Sequence, residues 1–182
     1  MRSFIAIELD NNTREFLCNI QRDLESHGIH GNYSRPENLH LTLKFLGEIN
    51  EFTFKKIAEI IKKVADNNKS FILSLNSVGK FNKGNRSIVW AGLERNEFLF
   101  KIYQELQSEL ERILPDIEKK AYSPHITLIR EARPYKEVSD FIDKYKVPGH
   151  KFPAEGISLM ESTRIEGKLT YIRRDFAPFK KA

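Results

Sequence analysis

The stretch His40-Leu-Thr-Leu-Lys-Phe-Leu-Gly alternates polar and apolar residues, and the opening of that pattern returns far downstream as His125-Ile-Thr-Leu-Ile-Arg. Alternation of this kind marks a β-strand with one buried face, because successive side chains point to opposite sides. His40 and Thr42 therefore share a face, followed by Lys44, while Leu41, Leu43 and Phe45 turn toward a core. His125 and Thr127 share a face in the second copy, with Ile126 and Leu128 behind them. Each copy sets an imidazole beside a hydroxyl on stiff backbone backed by apolar packing, the support a precise site needs. Strict alternation puts Arg130 on the face opposite His125, unless the strand ends or bulges before it.

The surroundings of the two copies are also alike. Ser3–Leu9 is β-prone, and Asp10 to Thr13 supply cap-type residues for a helix reaching about Ser26, with Phe16, Leu17, Ile20 and Leu24 on one stripe. The segment "HGIHGN" breaks that helix, and the first His-x-Thr strand follows. A second amphipathic helix spans 49–68, with Phe54, Ile57, Ile61 and Val64 at helical spacing. Two strands, "FILSLNSVGKF" and "SIVWAGL", flank a turn-prone "NKGNR". A third helix runs from about Asn96 to Leu114, ahead of Pro115, and the second His-x-Thr strand follows. A short helix over "YKEVSDFIDKYK" precedes a closing strand pair, "FPAEGISLMES" and "KLTYIRRDF". The order amounts to a weak two-fold rhythm without strict βαβ alternation. It predicts an α+β fold with mainly antiparallel sheet, as one domain over residues 1–182.

Composition narrows the setting. The chain has 182 residues, 40% hydrophobic and 30% charged, which suits a globular protein with a real core. No apolar run is long enough to span a membrane, and the N-terminal apolar run is too short for a secretory signal, so a cytoplasmic protein is the expectation. One cysteine, Cys18, rules out an internal disulfide and a cysteine-rich zinc site. The net charge of +5 favours polyanionic partners such as nucleic acid or phosphorylated metabolites. A monomer is the default expectation.

Two histidines facing one another across a cleft suit a reaction that needs a general acid and a general base together. In-line displacement at phosphorus is one: an imidazole activates water while the other protonates the departing oxygen. Threonine hydroxyls then donate to the non-bridging oxygens, where charge gathers. Such a pair shares one proton near neutrality and gives a bell-shaped pH profile. A zinc site needs a third ligand, and no His, Asp or Glu stands at ligand spacing beside either motif. Cys18 lies on a predicted helix with no base to activate it. Lys44, on the histidine face, is a further candidate substrate contact. Among the aromatics Phe4, Phe45, Phe81, Trp90 and Tyr122, a base-stacking partner cannot be singled out; alternation turns Phe45 inward, and Trp90 reads as packing.

With these residues in view, the chain resembles the bacterial and archaeal RNA 2′,3′-cyclic phosphodiesterases, also called 2′-5′ RNA ligases, of the two-histidine phosphoesterase superfamily. The resemblance rests on "PENLHLTLKFLGE" and "YSPHITLIRE", supported by "RSFIAIEL", "SIVWAGLE" and "SLMESTRIEGKLTYIRRDF". It implies two pseudo-symmetric lobes with sheets facing a central cleft, helices outside, and one His-x-Thr strand in each lobe. It further implies hydrolysis of an RNA 2′,3′-cyclic phosphate end to a 2′-phosphomonoester, without metal or cofactor, with reverse 2′-5′ ligation as a secondary reaction. His40 becomes the proton donor and His125 the proton acceptor, Thr42 and Thr127 hold phosphate oxygens, and Arg130 matches an arginine common after the second motif. The substrate is RNA with such an end, or a cyclic nucleotide. Two other readings stay open: another cyclic phosphate, such as an ADP-ribose cyclic phosphate, and a non-catalytic RNA-binding module.

Overall fold

Three of the four helices begin the same way. Asp10, Asn50 and Asn96 each accept, through a side-chain oxygen, the backbone N–H three residues on: Thr13 at 2.9 Å, Thr53 at 2.8 Å and Leu99 at 3.1 Å. Each cap satisfies one of the free N–H groups of a first helical turn, a contribution of about 1 kcal/mol. In the computed structural model, which describes the whole chain Met1–Ala182, these caps open α1 (Asn11–Ser26), α2 (Glu51–Asp66) and α3 (Glu97–Glu111); α4 is Tyr135–Lys144. The strands are β1 (Arg2–Glu8), β2 (His30–Tyr33), β3 (His40–Glu48), β4 (Phe71–Lys83), β5 (Arg86–Leu93), β6 (His125–Arg133), β7 (His150–Ala154), β8 (Gly156–Ile165) and β9 (Lys168–Pro178).

They form two sheets, a four-stranded one in the order β3-β1-β8-β9 and a five-stranded one in the order β2-β6-β5-β4-β7. Every strand pairing is antiparallel. The α+β class with antiparallel sheets is thus as expected, and the first His-x-Thr strand lies in one sheet and the second in the other. Helix α2 packs on β8 and β9 with α3 against it, while α1 and α4 cover the five-stranded sheet. The cluster between sheets and helices includes Ile5, Leu41, Val89, Ile126 and Leu128, all fully buried or nearly so. Each such side chain contributes roughly 1.5–3 kcal/mol on burial. No helix is long and apolar enough to cross a membrane.

The two-fold rhythm of the sequence does not map one repeat onto one sheet. Strand β4, which follows α2, pairs with β5 in the second sheet, and β8, which follows α4, returns to pair with β1 in the first. Each sheet therefore takes two strands from the other half of the chain, β8 and β9 in the first and β2 and β4 in the second. The run "FPAEGISLMES", read as one strand, is split by Glu155 into β7 and β8, in different sheets. Gly156 marks the change, because a Cβ there would stand 2.5 Å from both the Ala177 carbonyl oxygen and the Phe176 ring. The breaker "HGIHGN" likewise hides part of strand β2. Gly31, at φ 153°, brings it so close to β6 that a Cβ would lie 2.6 Å from the Arg130 carbonyl oxygen.

Candidate active site

Residues from both sheets line one cleft of about 560 Å³, among them His40, Thr42, His125 and Thr127. Their placement follows from the alternation in β3 and β6, which buries Leu41, Leu43, Ile126 and Leu128 on the opposite side. Alternation then fails at the same place in both strands. In β3, Ala6 pairs with Thr42 and Ile5 with Lys44, leaving Leu43 without a partner. In β6, Trp90 pairs with Thr127 and Val89 with Ile129, leaving Leu128 over. A one-residue bulge reverses the face of everything after it.

The consequence corrects two expectations. Lys44 does not stand on the histidine face: it is 6% exposed, and its Nζ donates to the Tyr103 hydroxyl at 3.2 Å and to the Glu118 carbonyl. The bulge turned it inward, where it ties β3 to the segment between α3 and β6. Phe45, expected inside, is instead 63% exposed and lines the cleft. The equivalent bulge in β6 resolves the position of Arg130, which reaches the cleft on the same side as His125. The residue five places after each histidine therefore faces the site: an aromatic ring from one lobe, a guanidinium from the other.

Both imidazoles are held alike. His40 Nδ1 donates to the Asn38 carbonyl at 2.6 Å, and His125 Nδ1 donates to the Ser123 carbonyl at 2.7 Å. A carbonyl oxygen only accepts, so the proton of each neutral ring sits on Nδ1 and Nε2 is left as the working nitrogen. His40 Nε2 lies 2.8 Å from the Thr42 hydroxyl, which donates to it. The Asn38 carboxamide is itself anchored, donating to the Leu169 carbonyl at 2.9 Å and accepting the Tyr171 N–H at 3.3 Å. Phe4 and Tyr171 enclose the His40 ring at 4.8 and 5.1 Å; Phe81 meets the His125 ring edge-on at 5.1 Å.

Enclosure sets the charge state. Burial pushes His40 down to about 4; its hydrogen bond to Asn38 opposes this, and the charges of Arg130 and His125 reinforce it. Burial also lowers His125, opposed by the Ser123 carbonyl and aided by Arg130 and Lys120. Both rings are consequently neutral at pH 7 in the open cleft, and a proton on one disfavours a proton on the other. No Asp or Glu lines the cleft, whereas Arg35, Arg130, Arg164 and Lys168 do. Arg35 is paired with Glu37, but no ion pair engages Arg130 or Arg164; the other arginine pairs involve Arg86, Arg95, Arg112, Arg173 and Arg174. The site is built for an anion. No three His, Cys, Asp or Glu side chains group together as metal ligands.

Sequence reading did not single out Asn38, Tyr171, Arg164 or Lys168. Asn38 had a signal, standing two residues before His40 in "PENLH", whereas the others come from the β8–β9 hairpin and resemble ordinary solvated turn residues. Tyr122 proves not to be a stacking surface. Its hydroxyl donates to the Thr42 carbonyl at 2.9 Å, and its ring stacks on Tyr103 at 4.2 Å. Trp90 packs across Gly79, where an added Cβ would fall 2.2 Å from the ring.

The sequence model of the 2′-5′ RNA ligase superfamily matches residues 17–166. The RNA 2′,3′-cyclic phosphodiesterase of Thermotoga maritima is 34% identical over 131 residues, 71% of this chain and 70% of that protein. That of Methanocaldococcus jannaschii is 31% identical over 167 residues, 90% of this chain and 92% of the relative. Among solved structures, the crystal structure of TT0787 of Thermus thermophilus has a TM-score of 0.81 at 26% identity, covering 100% of this chain and 99% of its own.

Proposed function

The chain belongs to the 2′-5′ RNA ligase superfamily, and from that membership and the cleft we propose that it hydrolyses RNA 2′,3′-cyclic phosphate ends to 2′-phosphomonoesters without a metal. One observation carries the reading: two Nε2 atoms, each oriented through a Nδ1–carbonyl bond, open into one cleft lined by cations and no carboxylate. The curated relatives named RNA 2′,3′-cyclic phosphodiesterases support the substrate class.

In the proposed reaction the cyclic phosphate sits between the two imidazoles. His125 Nε2 accepts a proton as water attacks phosphorus, the P–O3′ bond breaks, and His40 Nε2–H protonates the departing 3′ oxygen. Thr42, Thr127 and Arg130 hold the non-bridging oxygens, where preorganised donors act most strongly in the transition state. The substrate anion has a second task. Burial keeps His40 neutral in the open cleft, so the phosphate must supply the negative charge that lets it carry a proton. Phosphate also competes with Nε2 for the Thr42 hydroxyl hydrogen, freeing that nitrogen. When an RNA 5′-hydroxyl takes the place of water, the same displacement expels the 3′ oxygen and forms a 2′-5′ linkage, the reverse of cleaving such a linkage to a cyclic phosphate end.

The pH profile tests this directly. The acid must be protonated, so activity is lost as pH rises; the base must be neutral, so activity is lost as pH falls. Both free-enzyme pKa values lie below the ordinary 6.5 of histidine. The expected kcat/KM is therefore bell-shaped with its maximum below pH 6.5, falling about tenfold per unit above it. The alkaline limb of kcat lies at higher pH, because bound phosphate stabilises the imidazolium. A kcat/KM that is flat between pH 5 and 9 removes the paired-histidine mechanism.

A further inference from the structure

In-line displacement puts the attacking water and the departing 3′ oxygen on opposite sides of phosphorus. The ribose holds phosphorus through the apical 3′ oxygen and through the 2′ oxygen, which stays bonded and lies equatorial, so the ribose and the RNA upstream of it lie toward the acid and away from the attacking water. A second cavity, of about 590 Å³, opens on that side: its wall includes His40 but neither His125 nor Thr127. It shares Phe45, Arg130, Arg164 and Tyr171 with the catalytic cleft and adds Arg2. Again no carboxylate lines it. Arg2 and Arg164 make no ion pair, and Arg164 is steadied by donating to the Gly167 carbonyl at 2.9 Å. Phe45, 63% exposed, stands where the two cavities meet.

An exposed ring beside unpaired guanidiniums matches a nucleotide, with its flat base and anionic linkage. Resting on the functional reading above, we infer that this arm is a subsite for the nucleotide upstream of the cyclic phosphate end, with its phosphate between Arg2 and Arg164 and a base on Phe45. The preferred substrate is then an oligonucleotide end rather than a free cyclic mononucleotide. The bulge at Leu43 makes the subsite possible, because without it Phe45 faces the core.

The test compares kcat/KM for a nucleoside 2′,3′-cyclic monophosphate with that for a dinucleotide and a tetranucleotide ending in the same residue. The dinucleotide is expected to gain at least about tenfold over the monomer, from stacking and the added phosphate contact. The ratio falls toward one in the Arg2→Met/Arg164→Met double variant and keeps its wild-type value in Lys62→Met, which removes an exposed charge from α2, outside both cavities. Raising monovalent salt from 50 to 200 mM shrinks it by about threefold, as for one single-strand phosphate contact. A wild-type ratio near one, or a ratio untouched in the double variant while the monomer is still turned over, overturns the subsite and leaves the phosphodiesterase standing. No turnover of any of the three substrates overturns both.

Discussion

Replacing His125 by alanine lowers kcat on an RNA ending in a 2′,3′-cyclic phosphate by about 10²- to 10⁴-fold, the usual contribution of a positioned general base. His40→Ala gives a loss of similar size on the same substrate. The two variants separate when the leaving group changes. A phosphodiester that expels an aryl oxide, such as bis(4-nitrophenyl) phosphate, needs no proton on its departing oxygen. His40→Ala then recovers most of its deficit relative to wild type, whereas His125→Ala, still unable to activate water, does not. The opposite pattern reverses the roles and moves the upstream subsite to the other side of the cleft. Both substitutions remove a ring that is only partly exposed and packed on aromatics, so thermal unfolding of each variant should accompany the rates.

Arg130→Met is the second large effect. The guanidinium faces the cleft with no carboxylate partner, and a hydrogen bond to a charged group contributes about 1.5–3 kcal/mol. The expected loss in kcat/KM is therefore about 10- to 150-fold. A second readout distinguishes a charge at the reacting phosphate from a structural role. Arg130 depresses the pKa of both histidines, so its removal moves the kcat/KM maximum to higher pH, while Arg130→Lys keeps it near the wild-type position. A variant with wild-type rate and an unshifted profile shows that Arg130 serves only the surface.

The face that carries the two histidines and threonines was legible in the sequence because it depends on local periodicity alone. Residues 40–43 and 125–128 alternate in the folded strands as they do in the text. The positions just beyond them were not legible. Whether Lys44 or Phe45 faces the cleft depends on how β1 pairs with β3, and nothing within "LTLKFLG" announces the unpaired Leu43. The same blindness applied to Arg130, whose direction is set by the pairing of β5 with β6. The exchange of β2 and β4 for β8 and β9 between the sheets is non-local in the same sense, since the two halves repeat their order of elements but not their partners. The hairpin that encloses His40 resisted prediction for another reason. Arg164, Lys168 and Tyr171 occupy positions where charged and half-exposed residues are ordinary, and only the packing of β9 against the first motif gives them a site to line.

Paired-histidine hydrolysis of a cyclic phosphate end is tested by a single assay. Purified protein is incubated in excess EDTA with a short RNA carrying a 2′,3′-cyclic phosphate, and the product is resolved as the 2′- or the 3′-phosphate. Full turnover in EDTA to the 2′-phosphate alone is expected. A 3′-phosphate product, or activity that vanishes in EDTA and returns with a divalent cation, contradicts it.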